Sequence, residues 1–204
     1  MVRGQAAVLT TLLLTAAALA ISLALWNYFV SVASVQREQA LIASTITRES
    51  TRIVLTRIST VSVTVGSERY YRFVYQVSTL DSQPALIYLL ILSSFTTTPT
   101  PIDFNMYLIR DPYSNITNTS TLTPVSDVEF SDSRYVFIRP INVNEHVELS
   151  LYWKGTVGLH KFYMEGPPTA VVVEVRASDL SNAWLVTLIK ISNRYYQIGM
   201  NPIP

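Results

Sequence analysis

The sequence contains no cysteine, so disulfides and thiolate metal sites are both excluded, and the fold must hold by packing and hydrogen bonding. Glycine is scarce, at six residues, which leaves few places where backbone can approach a ligand closely. Charge is scarce too. Only 14% of residues are charged and the formal net charge is +1, so there is neither the basic excess of a nucleic-acid binder nor an acidic tail. The two histidines, His146 and His160, have no neighbouring third ligand in sequence. The His146/Glu148 pair on one face of a strand would be two ligands without a site, and solvated strand residues are the expected reading. Nucleophile elbows, phosphate-cradling glycine loops and zincin motifs are missing, so neither enzyme chemistry, a cofactor nor a metal is expected.

The most informative absence is local. From Gln5 to Gln36 no side chain is charged, and Leu, Ala, Val and Ile occupy every helical phase between Ala6 and Leu25. That pattern describes a helix surrounded by lipid or by other helices. A helix of about 30 residues is roughly 45 Å long, against ~30 Å for a bilayer's hydrocarbon core, so the segment exceeds what spanning needs. Ala16, Ala20 and Ala24 recur at the four-residue spacing that lets helix backbones approach, and Leu12, Leu23 and Trp26 complete the candidate helix–helix packing set. An alanine-rich helix without a packing face would show the same spacing. Trp26 and Tyr28 stand where such a helix would leave a bilayer. Beyond them Arg37, Glu38, Arg48, Glu49, Arg52 and Arg57 interleave with Leu41, Ile42, Ile46 and Ile53, an amphipathic continuation expected to carry the helix to about residue 57. The β-branched residues at 45–47 and 53–54 are its weak point.

After Arg57 the period becomes two. Val61, Val63 and Val65 alternate with polar residues, Gly66-Ser67 breaks the run, and Tyr70–Val77 resumes it as a hairpin. Further strands are predicted at 85–92, 102–109, 125–130, 134–139, 147–153, 159–164, 169–176, 184–192 and 195–200, with prolines mostly at the breaks. Ala85–Leu92 lacks polar alternation and should be buried on both faces, whereas Val147–Trp153 alternates as a half-exposed strand does. The fold class that follows is α+β: one long N-terminal helix, then an antiparallel, Ig-like β-sandwich. The expected organisation is a short leader (1–4), the helix (5–57) and a β-domain (58–204).

Arg3-Gly4-Gln5-Ala6 sets a basic residue and a glycine directly before the apolar helix. This resembles the processing site of archaeal type IV pilins and archaellins. The resemblance covers about the first 36 residues and the layout of a β-rich domain behind the helix. It implies cleavage after Gly4 by a prepilin peptidase, a membrane-held precursor, and export by a pilus assembly machinery into an extracellular filament of identical subunits serving surface attachment. Leu9 stands where bacterial type IV pilins carry a glutamate, so the likeness is to the archaeal branch. Two other readings of the helix stay open: a secretory signal cut at Ala18-Leu19-Ala20, and a plain anchor holding a binding module or surface-motor accessory outside the membrane. Asn115-Ile-Thr117 and Asn118-Thr-Ser120 are glycosylation sequons in one turn-rich loop. Thr96–Pro101 (TTTPTP) is expected to be an extended loop between strands.

Overall fold

The computed structural model describes residues 2–94, 98–109 and 116–203, with side chains from residue 8 onward. One helix, α1 (Val2–Arg52), precedes thirteen strands among the described residues: β1 (Ile53–Val65), β2 (Glu68–Thr79), β3 (Ala85–Ser93), β4 (Thr100–Ile102), β5 (Asn105–Ile109), β6 (Thr123–Pro124), β7 (Val128–Asp132), β8 (Val136–Ile138), β9 (Val147–Glu148), β10 (Thr156–Met164), β11 (Thr169–Arg176), β12 (Ala183–Ile191) and β13 (Arg194–Ile203). The chain divides into two compact units, Met1–Thr45 and Ile46–Pro204.

The helix stops at Arg52, not near residue 57. Ile53 and Val54 begin β1 and pair with Thr79 and Ser78 of β2, and the Leu80 amide donates to the Arg52 carbonyl at 2.9 Å. β-Branched residues lose less in a strand than in a helix, but Thr45–Thr47 stay helical and the transition falls at Ile53–Val54, where β2 offers a ladder. Arg57 therefore lies within β1, where the register breaks between Arg57 and Ser59 and leaves Ile58 bulged. The β1–β2 turn is two residues long, with Gly66 at φ 64°, a left-handed conformation suited to a tight hairpin.

The β-domain is a two-sheet sandwich. The smaller sheet has the order β1-β2-β11-β5-β6; the larger runs β7-β10-β3-β12-β13-β8-β9, with β4 also paired to β3. All pairs are antiparallel except β8 with β13. The main core lies between the sheets: Phe73, Tyr75 and Val77 of β2 and Val171, Val173 and Val175 of β11 meet Ile87, Leu89 and Ile91 of β3 and Leu185 of β12. A second core covers the other face of the larger sheet, where Tyr88, Leu90 and Leu92 meet Val136, Ile138, Leu149, Val157 and Leu159. β3 is thus shared by two cores, which is why its sequence never alternates.

Four expected strands are reorganised, and of 134–139 only β8 remains, behind the 3-10 helix Ser133–Tyr135. The run 102–109 splits into β4 and β5, and 125–130 gives way to β6 and β7. The run 147–153 is not a half-exposed strand: after Glu148 the chain turns through a 3-10 helix, Leu149–Leu151. Leu149 drops into the second core while Leu151, expected on the same side, is 71% exposed. A three-residue turn puts residues two apart on different sides, so alternation there marks no sheet face. Pro101, Pro124 and Pro202 lie within β4, β6 and β13 rather than at breaks.

Candidate functional site

The expected processing motif, Arg3-Gly4-Gln5-Ala6, falls inside the first turns of α1, and its side chains lie outside the described residues. From Val8 the helix is apolar all round. Fifteen large apolar side chains between Val8 and Leu41 are at least half exposed, Trp26 at 67% among them. The polar residues within the run do little to interrupt this. Thr15 Oγ1 donates to the carbonyls of Thr11 (3.0 Å) and Leu12 (2.9 Å), Ser22 Oγ to Ala18 (2.8 Å) and Ser34 Oγ to Ser31 (2.7 Å). A hydroxyl satisfied by its own helix needs no water, so these residues are compatible with lipid or protein surroundings. By length and composition the helix can cross a membrane.

The expected packing residues Leu12, Ala16, Ala20, Leu23, Ala24 and Trp26 are all exposed and fall on one side of the helix, within about 160° of its circumference at ~100° per residue. The alanine row is a shallow strip bordered by large side chains. It is a line along which a second helix can approach closely.

No protein family, curated protein or solved structure matches the chain. Its functional reading therefore rests on its own residues.

The charged end of α1 is tied down within the β-domain unit. Glu49, 8% exposed, accepts from Arg52 (2.7 Å) and Arg48 (3.0 Å), and Arg52 reaches Asp81 at 3.4 Å. The backbone bond from Leu80 to Arg52 closes the same cluster. Glu49 is the only acid facing two guanidinium groups here, so it orients both.

Asn115 lies outside the described residues. Asn118 is exposed, and its Oδ1 accepts from the Ser120 amide (3.1 Å) and the Ser120 hydroxyl (2.9 Å), capping the short 3-10 helix Thr119–Thr121. That loop is held from beneath by a buried ion pair. Arg72 on β2 is 0% exposed; its Nε donates to Glu174 Oε2 on β11 (2.7 Å) and its Nη1 to the Ile116 carbonyl (2.6 Å). Its Nη2 donates to Thr119 Oγ1. Glu174 Oε1 accepts from Asn105 Nδ2 (3.1 Å) and the Tyr107 hydroxyl (3.2 Å), so both carboxylate oxygens are engaged. The proximity of Glu174 and above all burial push the Tyr107 phenol up from its ordinary range, burial being the larger effect. Sequence reasoning missed this site. The only signal was a charged residue on each of two strands rich in apolar residues, and nothing in one dimension pairs positions 102 residues apart.

A second polar cluster lies on the larger sheet. Glu129 of β7 accepts from Lys190 of β12 and Tyr195 of β13, and these hydrogen bonds hold its carboxyl below the usual range. The histidines are not simple solvated strand residues. His146 sits in the loop before β9, half-buried, with Nε2 2.7 Å from the Gln197 carbonyl. His160 of β10 lies against Phe104 with ring centroids 4.1 Å apart, and burial lowers its pKa. Glu148 instead accepts from Ser150 Oγ (2.9 Å), and among the described residues no group of three His, Asp or Glu could hold a metal ion.

Proposed function

We propose that the chain is the structural subunit of an extracellular helical filament of the archaeal type IV pilus kind. The carrying observation is the fifteen large apolar side chains left exposed along α1 between Val8 and Leu41. Covering a Leu-sized side chain is worth about 1.5–3 kcal/mol, so the set represents on the order of 20 kcal/mol or more, beyond the ~5–15 kcal/mol that stabilises an ordinary domain. Such a helix is not left in water. Lipid covers it in the precursor, and copies of the same helix cover it in the fibre, with β-domains outside. The uncharged run exceeds a bilayer's thickness, and Arg3-Gly4-Gln5-Ala6 at its front supports release from the membrane by cleavage after Gly4. Partners on this reading are further copies of the chain, the membrane before assembly, a prepilin peptidase and the assembly machinery; the filament serves surface attachment and needs no catalytic centre. Glycosylation is proposed at the exposed Asn118.

The alternative is a membrane-anchored β-domain, favoured by the same helix meeting the length and composition of a single span. Mass spectrometry of the protein's N-terminus separates the two. Gln5 as the first residue, in protein recovered from sheared surface fibres, supports the filament; an intact Met1 in detergent-solubilised monomers supports the anchor. Ala20→Arg tests assembly: the domain should still be displayed at the surface while fibres disappear, and unaltered fibres would overturn the proposal.

A further inference from the structure

The first charged residues after the uncharged run are Arg37 and Glu38. Both are exposed, and neither makes an ion pair or side-chain hydrogen bond among the described residues. The contrast with the next acid along the helix is sharp, since Glu49 already engages both Arg48 and Arg52. Positions three and four residues from Glu38 are Val35, Leu41, Ser34 and Ile42, so the one cation close to it on its own helix is the adjacent Arg37, with which it forms no ion pair. Ala33 and Ser34 are small and, with Leu41, leave a shallow groove alongside the two charges.

We infer that Arg37 and Glu38 form a propagating acid–base contact between neighbouring copies of this chain. The inference rests on the filament reading above. Adjacent residues on a helix are ~100° apart, so the base and the acid address two different neighbours. Copies that leave one membrane through the same kind of helix point the same way. In a parallel bundle, Arg37 of one copy then meets Glu38 of the next, whose own Arg37 faces the copy beyond. A two-fold pairing of parallel helices would instead set like against like. The contact is head-to-tail, the type that generates rings or open helical arrays and not closed dimers. The groove beside Ala33 and Ser34 permits the close approach that such pairing needs, at the height where the apolar packing ends.

The test uses the full chain expressed in its own filament-forming host. Arg37→Glu and Glu38→Arg each place like charges side by side, and fibre mass in the sheared fraction should fall about tenfold or more for either variant alone, with membrane levels and protease resistance of the β-domain unchanged. Co-expressed, one variant offers two acids and the other two bases, so fibres should return to within about twofold of wild type and contain both chains by mass spectrometry. Glu38→Gln removes the pairing without creating repulsion and should lower yield severalfold even if a reversed charge hinders insertion. Wild-type yields from any single variant overturn the inference and leave the filament reading standing. Failure of co-expression to restore fibres, with both chains present in the membrane, does the same. A wild-type chain that forms no fibres overturns the filament reading and this inference together.

Discussion

Glu174→Gln is the sharpest probe of what holds the β-domain together. The substitution preserves the size of the side chain, yet it removes the charge facing an arginine that is 0% exposed. Arg72 would keep the Ile116 carbonyl and Thr119 hydroxyl as acceptors but lose its 2.7 Å carboxylate partner. Breaking a buried pair from one side typically costs about 3–5 kcal/mol, because the remaining charge is stranded in a poorly polarisable site. The amide oxygen of glutamine can still accept one hydrogen bond, which sets the expectation at the lower end, about 3 kcal/mol. Urea unfolding of the full chain in mild detergent, followed by near-ultraviolet circular dichroism, reads this as a lower midpoint at unchanged slope. The loop should respond as well, since Arg72 is what ties Ile116 and Thr119 to β2; proteolysis between 116 and 122 should accelerate. The double change Arg72→Met with Glu174→Leu strands no charge and should recover much of the loss while leaving the loop susceptible. A loss under about 1 kcal/mol for Glu174→Gln would refute the argument, because it would mean that water reaches Arg72 and solvates it.

Other outcomes follow from single groups. The Tyr75 hydroxyl is buried in the main core without a hydrogen-bond partner among the described residues, and burial raises its pKa to about 12, so Tyr75→Phe should stabilise the domain by about 1 kcal/mol; a loss of similar size in urea unfolding would show that the hydroxyl is satisfied. Burial depresses the folded-state pKa of His160 below 6.5, so the folded state prefers the neutral ring: stability is full above pH 6.5 and declines as the pH falls through the lower folded value. His160→Gln should flatten that part of the stability profile, and an unchanged slope would exclude His160 as its source. The two-residue β12–β13 turn places Ser192 at φ 48° and Asn193 at φ 65°, so Ser192→Asn with Asn193→Gly should raise the thermal midpoint, by the equivalent of about 0.5–1 kcal/mol. A lower midpoint would argue against a turn of that type.

The contrast between what could and could not be read in one dimension is clearest at the ends of elements. The helix was legible because 32 consecutive residues without charge, apolar at every phase, leave no alternative backbone that hides so much polar peptide from an apolar surrounding. Its terminus was misplaced by five residues, since propensity at Ile53 and Val54 is weak in either direction and the β2 ladder decides. Thr169–Arg176 emerged with the bounds its pattern predicts, being an interior strand between β2 and β5. Val147–Trp153 misled, because alternation there reflects a 3-10 turn whose first residue, Leu149, enters a second core that no local pattern announces.

Composition and periodicity by themselves determined that this is an apolar helix followed by a β-sandwich without disulfides, and where the strands of its core would run. Those properties are local: each depends on a residue and neighbours within a few positions of it. Tertiary structure alone decided which acid meets which base. It joined Arg72 to Glu174 and Glu129 to Lys190, bent the chain at Leu149, and left Arg37 and Glu38 with no ion-pair partner among the described residues of their own chain. Coulombic and hydrogen-bonding energies depend on separations of a few ångströms in space, and distance along the chain carries almost no information about them.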